Sequence, residues 1–474
     1  MRRLAAGLAA LTLIRLAVAA TIPLAPDETY YWVWSRALAG GYLDHPPMVA
    51  LWIRAGTLLL GQTGLGVRLL GPLAAAMASW MLFDAGRVLF PGTKAGVVAA
   101  VLINASLLLG VGSVIMTPDS PLLFFWTAAL WAMANVATAK GPDEGGRWWL
   151  AAGVAAGLAL DSKYTAAFLW IGIGLWTLLV PSARPWLRRW QPWAAAAIGA
   201  ALFAPVVLWN AAHGWAGFVK QGGRVGDWQP ARALGFLAEL VGGQIGLATP
   251  LVWLLCMAGL AAAIRRWRDP RWALLAALSV PPALVFVQHA FGDRVQGNWP
   301  AILYPALTLA AGGLAVRDRW WKSAAALGFG ITALAYIQAA AGVIPLPPRL
   351  DPVAMRLRGW DGLARQVAAA REAAGASFVA ADGYAVGSEL AWHLPGETIL
   401  GVDPRWRLFT LPSRPIAGAT GLLVMDIRHS EPPDPAVWAE VEPIGTAVRP
   451  GSGTTGYALF RVKGRAGAAG KPVL

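Results

Sequence analysis

Apolar runs of about 20 residues, each long enough to cross a bilayer, alternate along this sequence with short polar segments. Eleven such runs stand near 4–23, 66–89, 95–116, 121–139, 147–161, 164–181, 193–212, 234–264, 272–290, 299–316 and 323–345. The eighth is long and interrupted by glycine, so it reads equally as two pieces. The first also fits a secretory signal peptide, with Arg2-Arg3, an apolar stretch and Ala17-Val18-Ala19, although Arg15 suits that pattern poorly. Pro345, Pro347 and Pro348 close the last run. Beyond about 350 the pattern changes. Val353–Ala374 has helical spacing, whereas Gly421–Asp426 and Tyr457–Arg461 read as strands. The expected architecture is an all-α polytopic membrane protein of about eleven transmembrane helices followed by a small α/β domain. The expected divisions are a transmembrane domain over 1–345 and a soluble domain over 350–474.

Composition supports the lipid assignment. The 474 residues are 57% hydrophobic and 14% charged, where a soluble chain would carry roughly a quarter charged residues. The net charge of +14 could suggest a nucleic-acid partner, but the basic residues sit in short clusters between apolar runs. That placement reads as membrane topology and not as a groove for a polyanion. With Met1 cytoplasmic, the inner loops carry Arg87, Lys94, Lys140, Arg147, Arg184, Arg188, Arg189, Arg265, Arg266, Arg268, Arg271, Arg317, Arg319 and Lys322. The outer loops have fewer, among them Arg36, Arg54, Lys163, Lys220, Arg224 and Arg294. The asymmetry predicts a cytoplasmic N-terminus and an extracytoplasmic tail. The lone Cys256 excludes an intrachain disulfide and a cysteine metal site.

The loops assigned to the outer side carry the chemistry. The first reads Pro26-Asp-Glu-Thr-Tyr-Tyr-Trp32 and then Gly41-Tyr-Leu-Asp-His-Pro-Pro47. Between them Tyr30–Leu38 has the spacing of a short interfacial helix. Asp27 could simply cap that helix, with Glu28 favoured by its dipole, and Asp44-His45 could form a turn. The second loop, Met116-Thr-Pro-Asp-Ser-Pro121, places Asp119 where it too could cap a helix that opens with proline. Asp27, Glu28, Asp44, His45 and Asp119 nevertheless share one membrane side, and carboxylates at that depth are costly enough to be functional candidates. Lys163 and Tyr164, in Asp161-Ser-Lys-Tyr164, and Arg224 and Arg294 in later outer loops, are candidates for binding a phosphorylated substrate; Lys163 could otherwise snorkel to the interface. A carboxylate base with nearby cations is what displacement of a sugar from a lipid phosphate requires: one deprotonates the acceptor hydroxyl, the others stabilise the leaving phosphate. A transporter or lipid flippase is the alternative; it should place ionisable groups inside spans and often shows repeated halves. Here the charges avoid span centres except Arg15 and a few near ends, and no repeat is visible.

The blocks Asp27-Glu28-Thr-Tyr-Tyr-Trp, Asp44-His-Pro-Pro47, Thr117-Pro-Asp-Ser-Pro121 and Ser162-Lys-Tyr164 resemble bacterial members of glycosyltransferase family 39. These are membrane-embedded GT-C enzymes, including protein O-mannosyltransferases, aminoarabinose transferases and lipopolysaccharide galacturonosyltransferases. The resemblance spans roughly 1–345. It implies a GT-C fold, a polyprenyl-phosphate sugar donor, an envelope acceptor (lipid A or lipopolysaccharide, polysaccharide, lipid or protein hydroxyl) and inversion at the anomeric carbon. It implies Asp27 as general base, Glu28 as its support, Asp119 as the second acid and Lys163 as a phosphate ligand. Arg224, Arg294 and His45 are added from loop placement alone. The resemblance implies no required cofactor; a divalent metal, used by some GT-C enzymes, is not indicated by any dense ligand cluster. The expected location is the bacterial inner membrane, with the C-terminal domain periplasmic.

Overall fold

The computed structural model describes residues 1–223, 228–314, 316–428, 432–454 and 456–473. The expected apolar runs all coincide with helices, but they do not all cross a bilayer by themselves. Among the described residues six helices are long and apolar enough: Arg2–Thr21, Gly64–Leu89, Asp119–Thr138, Trp190–Ala212, Pro270–His289 and Asp318–Ala341. A seventh is counted if Pro230–Ala248 and Pro250–Arg265, bent by 110°, form one broken span. The count therefore stands at six or seven, where the sequence pattern suggested eleven. The physical reason is helix length: Ala95–Asn104 and Tyr304–Gly313 have 10 residues each, roughly 15 Å at 1.5 Å per residue, half of a hydrocarbon core. The bend falls at Thr249, whose φ of 67° leaves helical space just before Pro250, a residue that disfavours helix in its predecessor.

The chain forms two compact units whose residues interleave. The first comprises 1–19, 44–52 and 68–336; the second comprises 20–43, 53–67 and 337–474. Residues 20–43 and 53–67 of the first external loop thus belong with the tail, whereas 44–52 belong with the long helices.

In the first unit, helices approach through small residues. Gly153 and Gly157, four apart on Pro142–Leu160, meet Ala195 and Gly199, four apart on Trp190–Ala212. A Cβ on Gly153 would stand 2.5 Å from the Ala195 carbonyl oxygen. Such small-residue seams let backbones touch where lipid removes the hydrophobic drive for association. Leu13, Ile14, Met77, Leu178, Leu208 and Leu234 remain exposed, as a lipid-facing surface requires. Arg15, the charge inside the first run, is buried and donates through Nη1 to Asn104 Oδ1 at 2.9 Å. Asn104 Nδ2 in turn donates to Ser79 Oγ at 2.7 Å.

The second unit carries a seven-stranded sheet among the described residues, with β1 (Phe378–Ala381), β2 (Ile399–Gly401), β3 (Arg414–Pro415), β4 (Thr420–Asp426), β5 (Trp438–Ala447), β6 (Tyr457–Gly464) and β7 (Ala469–Pro472). Its order is β3-β7-β2-β1-β4-β6-β5. The central trio β2-β1-β4 is parallel, with Val379 opposite Ile399 on one side and Leu422 on the other; the outer pairings are antiparallel. Every residue of β1 is buried, as expected of a strand covered on both faces. The helix Tyr384–His393 makes the crossover from β1 to β2. Phe378, Leu400, Leu423, Met425, Trp438 and Val462 form the core on the sheet. The expected helical stretch 353–374 is two helices, Pro352–Leu357 and Trp360–Ala373. They part at Gly359, whose φ of 80° and close approach to the Pro450 carbonyl exclude a side chain.

Candidate active site

The acid pair lies on the helix Pro26–Arg36 in the second unit. Glu28, and not Asp27, caps this helix: its Oε2 accepts the Ala25 backbone N–H at 2.9 Å. Pro26 occupies the first turn, where a missing N–H costs nothing. Glu28 is completely buried. Asp27 is half-exposed, and its Oδ1 accepts the hydroxyl proton of Tyr384 at 3.1 Å. The capping role therefore goes to one acid and leaves the other facing outward from the helix start.

The tyrosines and tryptophans of this block hold it in place. Tyr30 packs against Tyr384 with ring centroids 4.6 Å apart and meets Trp406 edge-on at 5.6 Å. The Arg405 guanidinium lies 4.3 Å from the Tyr384 ring centroid and 5.8 Å from that of Tyr30, a cation–π distance. Trp32 meets Trp392 edge-on, and Trp34 stacks on Tyr42 at 4.2 Å. Thr29 donates to Glu389 at 3.3 Å. Burial pushes the Glu389 carboxyl above the usual carboxylate range, while His393 and Thr29 pull it back.

The first unit holds the other candidates. Lys163 Nζ lies 2.8 Å and 3.0 Å from the two oxygens of Asp119. The side chains are 8% and 13% exposed. Asn298 Nδ2 donates to the same carboxylate at 2.6 Å. Asp119 is the first residue of its helix, and Lys163 stands in the loop after Pro142–Leu160. On that loop, outside the helices, the Asp161 carbonyl accepts the Met48 N–H at 3.0 Å. Desolvation pushes the Asp161 carboxyl up to about 7. Asp44 is paired with Lys220, and its carbonyl accepts from Gln221 at 2.8 Å. Half-buried His45 follows it. Tyr164 packs among Phe203 and Phe218 and accepts from Asn210 at 3.4 Å. Arg294 is engaged by exposed Glu239, with Nη2 3.0 Å from Oε1. Arg224 lies outside the described residues. Among the described residues no group of three or more His, Cys, Asp or Glu is arranged to hold a metal ion.

Sequence reading missed Asn298, Tyr384, Glu389 and Arg405. The last three lie in the tail, at positions set by the parallel sheet: Tyr384 follows β1 and Arg405 follows β2. The only sequence signals are the turn residues Asp382-Gly383 and Asp403-Pro404, which end strands and start helices.

Residues 44–209 match the family described as dolichyl-phosphate-mannose-protein mannosyltransferase. The match and the fold point to one class: the chain is a glycosyltransferase that uses a lipid-linked sugar, and it is similar to the GT-C membrane glycosyltransferases. Among individual relatives, the lipid A galacturonosyltransferase RgtD of Rhizobium johnstonii is 29% identical over 379 residues, covering 78% of this chain and 77% of that protein. The polyprenol-phosphate-mannose–protein mannosyltransferase of Corynebacterium glutamicum is 27% identical over 168 residues, 31% of this chain and 32% of that protein. The crystal structure of ArnT from Cupriavidus metallidurans in the apo state superposes with a TM-score of 0.63 at 17% identity, covering 96% of this chain and 97% of ArnT. The structure of the same enzyme bound to undecaprenyl phosphate also gives 0.63, at 16% identity. At these identities the likeness is one of fold.

Proposed function

We propose that the protein transfers a sugar from a polyprenyl phosphate to lipid A on the periplasmic face of the inner membrane, with inversion and with Asp27 as general base. The orientation is a cytoplasmic N-terminus and a periplasmic tail. The observation that carries the reading is the division of labour in the acid pair: Glu28 is spent on the helix cap, while Asp27 is half-exposed. The choice of lipid A follows the galacturonosyltransferase relative, which aligns over most of both chains.

In the step proposed, Asp27 takes the proton of an acceptor hydroxyl as its oxygen attacks the anomeric carbon. The bond from that carbon to the phosphate oxygen breaks, and the polyprenyl phosphate leaves with the bonding electrons. Glu28 keeps the start of the Asp27 helix in register. Lys163 supplies positive charge for the departing phosphate, where a preorganised cation stabilises developing charge, and Asp119 with Asn298 orients Lys163. Asp44, His45, Tyr164, Arg224 and Arg294 are proposed to shape substrate binding. For Arg294 this means exchanging Glu239 for a phosphate, since that carboxylate already occupies its fork.

The test is deletion of the gene followed by mass spectrometry of the host's lipid A. Loss of one sugar mass from lipid A, restored by the wild-type gene, is expected. An unchanged lipid A with a missing sugar on another envelope molecule would overturn the acceptor assignment.

A further inference from the structure

The tail contributes to the base itself. We propose that Tyr384 is a positioning residue for the Asp27 carboxylate and that Arg405 fixes Tyr384, so that the C-terminal domain is part of the catalytic apparatus. This rests on the reading of Asp27 as the base.

All the groups concerned lie within one compact unit. Strand β1 ends at Ala381, and the Asp382-Gly383 turn delivers Tyr384 as the first residue of the crossover helix Tyr384–His393. That places it at the carboxyl end of the parallel strands, where open α/β sheets present functional groups. The Tyr384 hydroxyl donates to Asp27 Oδ1 at 3.1 Å. The Tyr384 ring cannot swing freely, because Tyr30 packs against it at 4.6 Å and the Arg405 guanidinium at 4.3 Å. Arg405 is delivered by the segment after β2, the strand next to β1.

The chemistry follows from the hydrogen bond. A free aspartate turns about two torsions and spends most of its time misaimed. A donor on Oδ1 removes that freedom and leaves Oδ2 to receive the acceptor's proton. A bond donated to a carboxylate also favours its anion, so loss of the donor is read in the pH profile. The Thr29–Glu389 bond and the Trp32–Trp392 contact tie the same two helices together farther along. The alignment therefore does not hang on one side chain.

The experiment uses purified full-length enzyme and, as substrate, the membrane lipid extract of the deletion strain, which contains native donor and unmodified acceptor. Tyr384→Phe removes only the hydroxyl. Its rate at saturating extract should fall about tenfold, the effect of one hydrogen bond to a charged group. The half-saturating extract concentration should stay within about twofold, since no substrate contact is lost. The acid limb of its pH–rate profile should move to higher pH, a change that a merely structural tyrosine would not cause. Should Tyr384→Phe fail to fold, 3,5-difluorotyrosine at 384 keeps the ring and strengthens the donor, and the acid limb should then move to lower pH. Wild-type rate and pH profile in Tyr384→Phe, or an unmoved limb with difluorotyrosine, with Asp27→Asn inactive, overturns the role of Tyr384 alone. An active Asp27→Asn overturns the base, and with it the mechanism proposed above.

Discussion

The Lys163–Asp119 pair lends itself to a double-mutant cycle. At 2.8 Å and an effective dielectric of about 20, two unit charges attract by roughly 6 kcal/mol. Removing both ions from water costs several kcal/mol each, so the intact pair is close to neutral for stability. Breaking it is another matter: one partner is then stranded at 8% or 13% exposure, which costs about 3–5 kcal/mol. Asp119→Ala and Lys163→Ala should therefore each lower the melting temperature of the detergent-solubilised enzyme by several degrees. The double variant should lose clearly less than the sum, because it strands no charge. The exchange Asp119→Lys with Lys163→Asp separates structure from chemistry: it should recover much of the melting temperature while transfer stays lost, since the cation has moved from its loop. Single variants that melt like wild type, or losses that add in the double variant, would refute the buried-pair reasoning. An active exchange variant would refute the role given to Lys163.

Two further outcomes follow from the first unit. The Asp161 carboxyl, raised to about 7 from an ordinary value near 4, keeps its proton in the folded state after the unfolded chain has lost its own. The folded state then binds more protons, so stability falls as pH rises from about 4 to about 7. Asp161→Asn should gain on wild type in melting temperature between pH 5 and pH 8, and an equal difference at both would contradict the assignment. Gly153→Leu, whose Cβ would lie 2.5 Å from the Ala195 carbonyl oxygen, should strongly destabilise the protein, while Gly174→Leu, with nothing within 4 Å, should melt like wild type.

How much of this was legible in the chain depends on distance along it. Local signals carried far: apolar runs located helices, glycines raised the possibility that the eighth run is two pieces, and the strand-like runs 421–426 and 457–461 located β4 and β6. Whether a helix such as Tyr304–Gly313 spans a bilayer alone was not legible, because hydropathy reports apolarity and not where backbone hydrogen bonding stops. Pairings between distant residues were not legible either. Asp119 meets Lys163 across 44 positions and Asp27 meets Tyr384 across 357, and neither partner's neighbourhood encodes the other. The acid pair shows the limit at short range. The sequence offered Asp27 as a cap and Glu28 as a dipole partner, and only the helix start at Pro26 assigns the cap to Glu28. The grouping of 20–43 with the tail has the same origin, since Pro26–Arg36 packs on the Tyr384–His393 helix and no boundary signal marks it.

The central claim is that the Asp-Glu pair divides into a base and a cap. It is tested most directly by comparing Asp27→Asn with Glu28→Gln for sugar transfer, using purified enzyme and the deletion strain's lipid extract. Glutamine still offers an oxygen to the Ala25 N–H, so Glu28→Gln should retain most of the wild-type rate. Asp27→Asn, with unchanged size and no basic oxygen, should transfer nothing above background while melting as wild type does. Transfer by Asp27→Asn, or its loss in a well-folded Glu28→Gln, would contradict the account.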